Sequence, residues 1–150
     1  MEKSNTIKGT IQKNIPNILT FIALFFDCLG ILLIFKGLYL LSFVFIILAL
    51  IFDILDGTAA RYLNIDSSLG RQLDGFVDVM TYILYPAISF YFIFNIRSFT
   101  GLMCVFVFIS AGIFRLARFN TQGFLESGNK KFYIGMPVFY NLLIPIILFF

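Results

Sequence analysis

The sequence predicts an all-α membrane protein, a polytopic bundle of transmembrane helices. Three observations carry this. Of the 150 residues, 60% are hydrophobic and only 13% charged, whereas a soluble domain is nearer half apolar and a quarter charged. The mean hydropathy is +0.96. The apolar residues are also blocked, not alternating: 37–52, 79–96, 98–114 and 132–150 carry no charge at all. Such runs approach the roughly 20 apolar residues that cross a bilayer. Inside lipid the backbone must satisfy its own hydrogen bonds, which selects helices.

The elements follow in order. Residues 1–14 are polar, with Lys3, Lys8 and Lys13. They read as a juxtamembrane segment, either a short helix on the membrane surface or disordered. "IPN" at 15–17 then opens the first helix, with Pro16 near its first turn. No small-residue cleavage site follows the first apolar segment, so it reads as a span and not as a signal peptide. Five spans are expected, at 17–36, 38–62, 68–95, 99–121 and 134–150. They form one domain over 15–150. The last span stops at Phe150 without a polar flank, so a sixth helix is expected beyond it and the chain reads as truncated.

Orientation follows from the basic residues. With five spans, one side receives Lys3, Lys8, Lys13, Arg61, Arg71, Arg115, Arg118, Lys130 and Lys131; the other receives Lys36 and Arg97. The N-terminus should therefore face the cytoplasm, in a cell (plasma) membrane. The bases are dispersed, which argues against a nucleic-acid partner. There is no His, which excludes His-based catalysis and His metal ligation. Cys28 and Cys104 lie inside apolar segments without a C-x-x-C pattern, and read as buried small hydrophobes.

Five of the eight acidic residues (Asp53, Asp56, Asp66, Asp74 and Asp78) fall between 52 and 80. Asp53, Asp56, Gly57 and Ala60 share an arc of about 100° on the second helix. Asp74 and Asp78 stack one turn apart on the third, one turn after Gly70. A short connection at 63–67 makes the two helices antiparallel neighbours. Four carboxylates should thus converge at the cytoplasmic edge of the membrane. Held together they repel one another and need a counter-charge. Oxygen donors alone suit Mg²⁺, Mn²⁺ or Ca²⁺. Gly57, Ala60, Gly70 and Gly75 leave room for a ligand against the backbone, and Arg61 adds positive charge. Carboxylates, a divalent metal, small residues and one Arg describe a phosphate or pyrophosphate site. Asp66 precedes Ser67 and Ser68 and reads as a helix cap or solvated loop residue.

These residues carry a family resemblance. Asp53-x-x-Asp56-Gly57-x-x-Ala60-Arg61, eight residues, then Gly70-x-x-x-Asp74-x-x-x-Asp78 resembles the signature of the CDP-alcohol phosphatidyltransferases at every defined position. The resemblance implies an integral membrane homodimer of about six helices per chain, of which five spans are visible here. It also implies transfer of a phosphatidyl group from CDP-diacylglycerol to a small alcohol, with release of CMP. Asp53, Asp56 and Asp74 would bind Mg²⁺ or Mn²⁺, with Asp78 close enough to contribute. Asp78 would be the general base, and Gly57, Ala60, Arg61 and Gly70 would hold the CDP part. "IPNILT" at 15–20 resembles the family's first-helix entry, which makes Asn17 and Thr20 candidate nucleotide contacts.

"FRLARFN" at 114–120 resembles the phosphatidylserine synthase branch. Arg115 and Arg118 share a helix face and are costly at membrane depth unless paired. Two guanidiniums suit a carboxylate or phosphate on the acceptor. "IGMPVFYN" at 134–141 matches the branch's following turn at Gly135 and Pro137, but lacks its second proline. L-serine is therefore the expected acceptor, and glycerol 3-phosphate the rival. Outside the family, the alternative is a cation or proton transporter using the acids as an ion path. Asp27, about 15 Å into the first span at 1.5 Å per residue, maps to no motif position. It is expected to be protonated and hydrogen-bonded within the bundle.

Overall fold

The structure is a computed structural model. It describes residues 2–63, 67–122, 125–127, 130–132 and 140–149, and the side chains of 14–63, 67–118 and 140–149. Asp66, Gly135 and Pro137 lie outside the described residues. Helix α1 is Glu2–Phe35, α2 is Tyr39–Tyr62, α3 is Ser68–Phe92 and α4 is Phe99–Gln122. Strands β1 (Leu125–Ser127) and β2 (Lys130–Phe132) pair antiparallel as a short hairpin. Helix α5 is Tyr140–Phe149.

Among the described residues, four segments are long and apolar enough to cross a membrane: Asn14–Phe35, Tyr39–Tyr62, Ser68–Phe92 and Phe99–Arg118. The chain is a multi-pass membrane protein built from helices. Of the fifth span expected at 134–150, the described part is the ten-residue α5, shorter than a full crossing. At the other end the helix does not begin at 15–17. It runs from Glu2 through Pro16, which sits inside it. Residues 2–13 are helical and continuous with α1, while the apolar span itself begins at Asn14.

The connection from α1 to α2 is three residues long and set by Gly37. Its φ of 75° lies in the left-handed region, which glycine enters without a Cβ clash. The Gly37 N–H bonds to the Ile34 carbonyl at 3.0 Å, and the Leu38 N–H to the Leu33 carbonyl at 3.0 Å. This paired closure satisfies the last carbonyls of α1 and sends α2 straight back along it. Of all helix pairs, α1 and α2 share the most extensive contact. Gly30 lets them approach: a Cβ there would stand 3.5 Å from the Ser42 carbonyl and from the Tyr85 ring. The Ser42 hydroxyl bonds the Gly30 carbonyl at 2.7 Å and the Tyr85 hydroxyl at 2.9 Å.

Helix α3 starts with a cap. Ser67 is extended, and its Oγ accepts from the Gly70 N–H at 2.8 Å, which satisfies one orphan donor of the first turn. Within α3, Met80–Leu84 widens into a π turn, where the Tyr85 N–H bonds to the Met80 carbonyl five residues back. Pro86 explains the location. It has no N–H to offer the Tyr82 carbonyl, and its ring would press on that carbonyl in a regular helix. Because the turn is wide, Thr81, Tyr82 and Ile83 are all buried.

The core cluster (Ile34, Phe43, Ile46, Ala49, Tyr82, Tyr85 and Leu142) lies where α1, α2, α3 and α5 meet. Elsewhere large apolar side chains face outward, among them Phe21, Phe25, Leu32, Phe106, Val107 and Phe114. Lipid tails are as apolar as these residues and cover them without penalty. Cys28 and Cys104 are exposed on this outer surface, not buried as expected. In a bilayer a thiol on the lipid side is as well solvated as one in the core, so hydropathy does not separate the two.

Candidate functional site

The acids of α2 and α3 converge as their spacing requires. Asp53, Asp56 and Asp74 each turn one carboxylate oxygen into a common space, the three lying within 4.8 Å of one another. Asp56 is buried; Asp53 and Asp74 are half-buried. Three anionic oxygens this close form a donor set for a hard divalent cation. Asp78 lies one turn further along α3, within electrostatic range of Asp53, Asp74, Asp56 and Asp27.

Hydroxyls from other helices hold the two α2 carboxylates. Thr20 Oγ1 on α1 donates to Asp56 Oδ2 at 2.5 Å. Tyr82 Oη in the π turn donates to Asp53 Oδ2 at 2.7 Å. Thr20 therefore touches the acidic centre itself. The sequence reading did not single out Tyr82, although the four-residue series Asp74, Asp78, Tyr82 was the available signal.

Beside the acids a cleft opens between α1, α2 and the start of α3. Asn17, Thr20, Asp56, Gly57, Ala60, Ser67, Gly70, Arg71 and Asp74 line it, with Pro16 at its edge. Its cavity volume is about 130 Å³, below the roughly 300–1,000 Å³ of closed small-molecule sites, and its mouth is open. Two glycines shape it. A Cβ at Gly70 would stand 3.0 Å from both Asn17 Oδ1 and Ser67 Oγ. A Cβ at Gly57 would stand 3.6 Å from Arg61 Nη1. Arg61 is exposed and bonds Thr58 Oγ1 at 3.2 Å; it is not among the lining residues. Arg71, which the sequence reading used only for orientation, lines the cleft.

Asn17, Thr20, Gly57, Ala60 and Gly70 thus surround one cleft, floored by Asp56 and Asp74. Arg115 and Arg118 are not among its lining residues. They lie on α4, with Arg115 half-buried and Arg118 exposed. Asp27 is fully buried and accepts from Thr81 Oγ1 at 2.6 Å, while its Oδ1 has no hydrogen-bond partner among the described residues.

The sequence model of the CDP-alcohol phosphatidyltransferase family matches residues 13–150. The chain is similar to proteins named CDP-diacylglycerol–serine O-phosphatidyltransferase in several organisms. Identity is 35% over 95 residues with that of Bacillus subtilis, covering 63% of this chain and 51% of the relative. It is 37% over 97 residues with that of Methanocaldococcus jannaschii, covering 65% and 44%. It is 28% over 125 residues with that of Helicobacter pylori, covering 82% and 52%. The chain spans about half the length of these curated relatives. No solved structure matches it.

Proposed function

Since the chain belongs to the CDP-alcohol phosphatidyltransferase family, we propose that it transfers the phosphatidyl group of CDP-diacylglycerol to L-serine, giving phosphatidylserine and CMP. The observation that carries this reading is the junction of an acidic trio with a cleft of small residues. Asp53, Asp56 and Asp74 gather within 4.8 Å, and two of them, Asp56 and Asp74, line the cleft together with Gly57, Ala60 and Gly70. A nucleoside diphosphate needs both parts: room against the backbone for the nucleotide, and a cation for its pyrophosphate.

The oxygen donors of the trio fit Mg²⁺ or Mn²⁺, and Asp53, Asp56 and Asp74 would hold the ion. When bound, it supplies positive charge against the pyrophosphate and the departing CMP. The rest is the work of the chain. Asn17, Gly57, Ala60 and Gly70 receive the CDP part, with Arg61 and Arg71 adding positive charge. Asp78 takes the proton of the serine hydroxyl as its oxygen attacks the phosphatidyl phosphorus. The bond from that phosphorus to CMP breaks, and CMP leaves with the electron pair. Arg115 and Arg118 on α4 are the proposed contacts for the serine carboxylate. The relatives' names support serine over glycerol 3-phosphate.

Residues 15–150 act as one transferase domain, working as a homodimer in the plasma membrane with the cleft toward the cytoplasm. The basic residues support this orientation. The test is CMP release from CDP-diacylglycerol in detergent with Mn²⁺ or Mg²⁺, comparing serine, glycerol 3-phosphate and inositol. Release with serine alone is expected. Release with glycerol 3-phosphate instead would keep the reaction and change the acceptor. Release with none would remove the reading.

A further inference from the structure

Three consecutive residues of the π turn reach three different helices. Thr81 bonds Asp27 on α1. Tyr82 bonds Asp53 on α2. Ile83 packs on Gly112 of α4, where a Cβ would stand 3.0 Å from its Cγ1. Of the three, only Tyr82 ends on a carboxylate of the acidic trio.

Its placement is well determined. Tyr82 is 7% exposed and belongs to one buried cluster with Ile46 and Ala49. Those two precede Asp53 on α2 by seven and four residues, so they share its helix face. The phenol ring is thus anchored in the core below Asp53, and its hydroxyl emerges at Asp53 Oδ2, 2.7 Å away. A buried phenol needs a hydrogen-bond partner, and a carboxylate accepting one bond loses rotational freedom. Asp56 is held the same way by Thr20.

We propose that Tyr82 is a positioning residue of the cation site, fixing the Asp53 carboxylate so that its other oxygen is presented to the ion. This rests on reading Asp53, Asp56 and Asp74 as the cation site. A partner behind a metal ligand that orients it typically contributes 10–100-fold in metal affinity or activity. Tyr82 does not touch substrate in this role; it acts through Asp53.

The experiment is Mn²⁺ binding to the full chain in detergent, read as loss of the free-ion electron paramagnetic resonance signal, without substrate. Tyr82→Phe keeps the ring and removes the hydroxyl. The matched control is Tyr85→Phe, which removes another buried hydroxyl of α3, one bonded to Ser42. Tyr82→Phe is expected to weaken Mn²⁺ binding by about 10-fold or more, and Tyr85→Phe to leave it unchanged. Unaltered affinity in Tyr82→Phe would overturn the inference, as would equal weakening in both variants. So would a Tyr82→Phe chain that has lost its helical circular dichroism, since the hydroxyl would then be structural. No Mn²⁺ binding by the unsubstituted chain would overturn the cation-site reading itself, and this inference with it.

Discussion

At the scale of the residue, the acids divide by position. Asp53, Asp56 and Asp74 share one small space, while Asp78 stands a turn away on α3. In the proposed reaction Asp78 is the general base. Asp78→Asn is therefore expected to lower CMP release by at least about 100-fold, the lower range of general-base contributions. Stabilisation of the variant by CDP-diacylglycerol against heat should persist; loss of both together would return Asp78 to the ligand set. Gly70 gives a second expectation. A Cβ there would stand 3.0 Å from Asn17 Oδ1 and Ser67 Oγ, so Gly70→Ala must displace the wall of the cleft or the cap of α3. The KM for CDP-diacylglycerol is expected to rise severalfold with kcat little changed. Ser67→Ala separates the two effects, since loss of a cap alone costs about 1 kcal/mol of stability. The aspartates and glycines were legible in the sequence because their chemistry and spacing are local. Tyr82 was not, because among 21 Phe and 7 Tyr only a tertiary contact distinguishes a phenol that bonds a carboxylate from one that packs.

At the scale of the element, α3 carries the most varied demands. It contributes Asp74 and Asp78, then widens at Met80–Leu84 and packs on every neighbour through successive side chains. Gly112 on α4 is the counterpart of this widening: a Cβ there would lie 3.0, 3.1 and 3.3 Å from three carbons of Ile83. Gly112→Val is expected to destabilise the chain by about 1–3 kcal/mol, the usual penalty of overpacking, seen as a lower thermal midpoint in detergent. Ile83→Ala added to it should recover part of the loss; no recovery would place the strain elsewhere. Helix existence was legible from apolar blocks, and the ends of α2 and the start of α3 fell where expected. The start of α1 was not. Pro16 reads as a first-turn residue, yet the helix passes through it. The π turn was also hidden, because Pro86 signals a local disturbance without saying whether the helix bends, breaks or widens.

At the scale of the molecule, the outer surface is apolar, unlike that of a soluble protein, and polar groups are set within an otherwise apolar interior. Phe, Leu and Val side chains face outward. Asp27, Ser42, Asp56, Thr81 and Ser89 lie inside. The all-helical class and its membrane setting were therefore legible from composition, while the pairing of interior polar groups across helices was not. Sidedness remains an expectation with a direct check. Single cysteines placed at Lys36 or Arg97, with Cys28 and Cys104 replaced by Ala, should react with a membrane-impermeant maleimide on intact cells. A cysteine at Arg71 should react only after the cells are opened, and the reverse pattern would invert the topology.

The tight glycine turn at Gly37 has a bearing on how such a chain is made. Three residues between two antiparallel spans leave no loop to expose, so during translation α1 and α2 can leave the insertion machinery together, as one hairpin. That hairpin already carries Asn17, Thr20, Asp53, Asp56, Gly57 and Ala60, and Thr20 already has Asp56 to hold. Among the described residues, Asp53 gains its hydroxyl partner only when Tyr82, 29 residues later, has been synthesised and delivered on α3. Arrival of the third span then brings Asp74 to Asp53 and Asp56 and Tyr82 to Asp53 in one step.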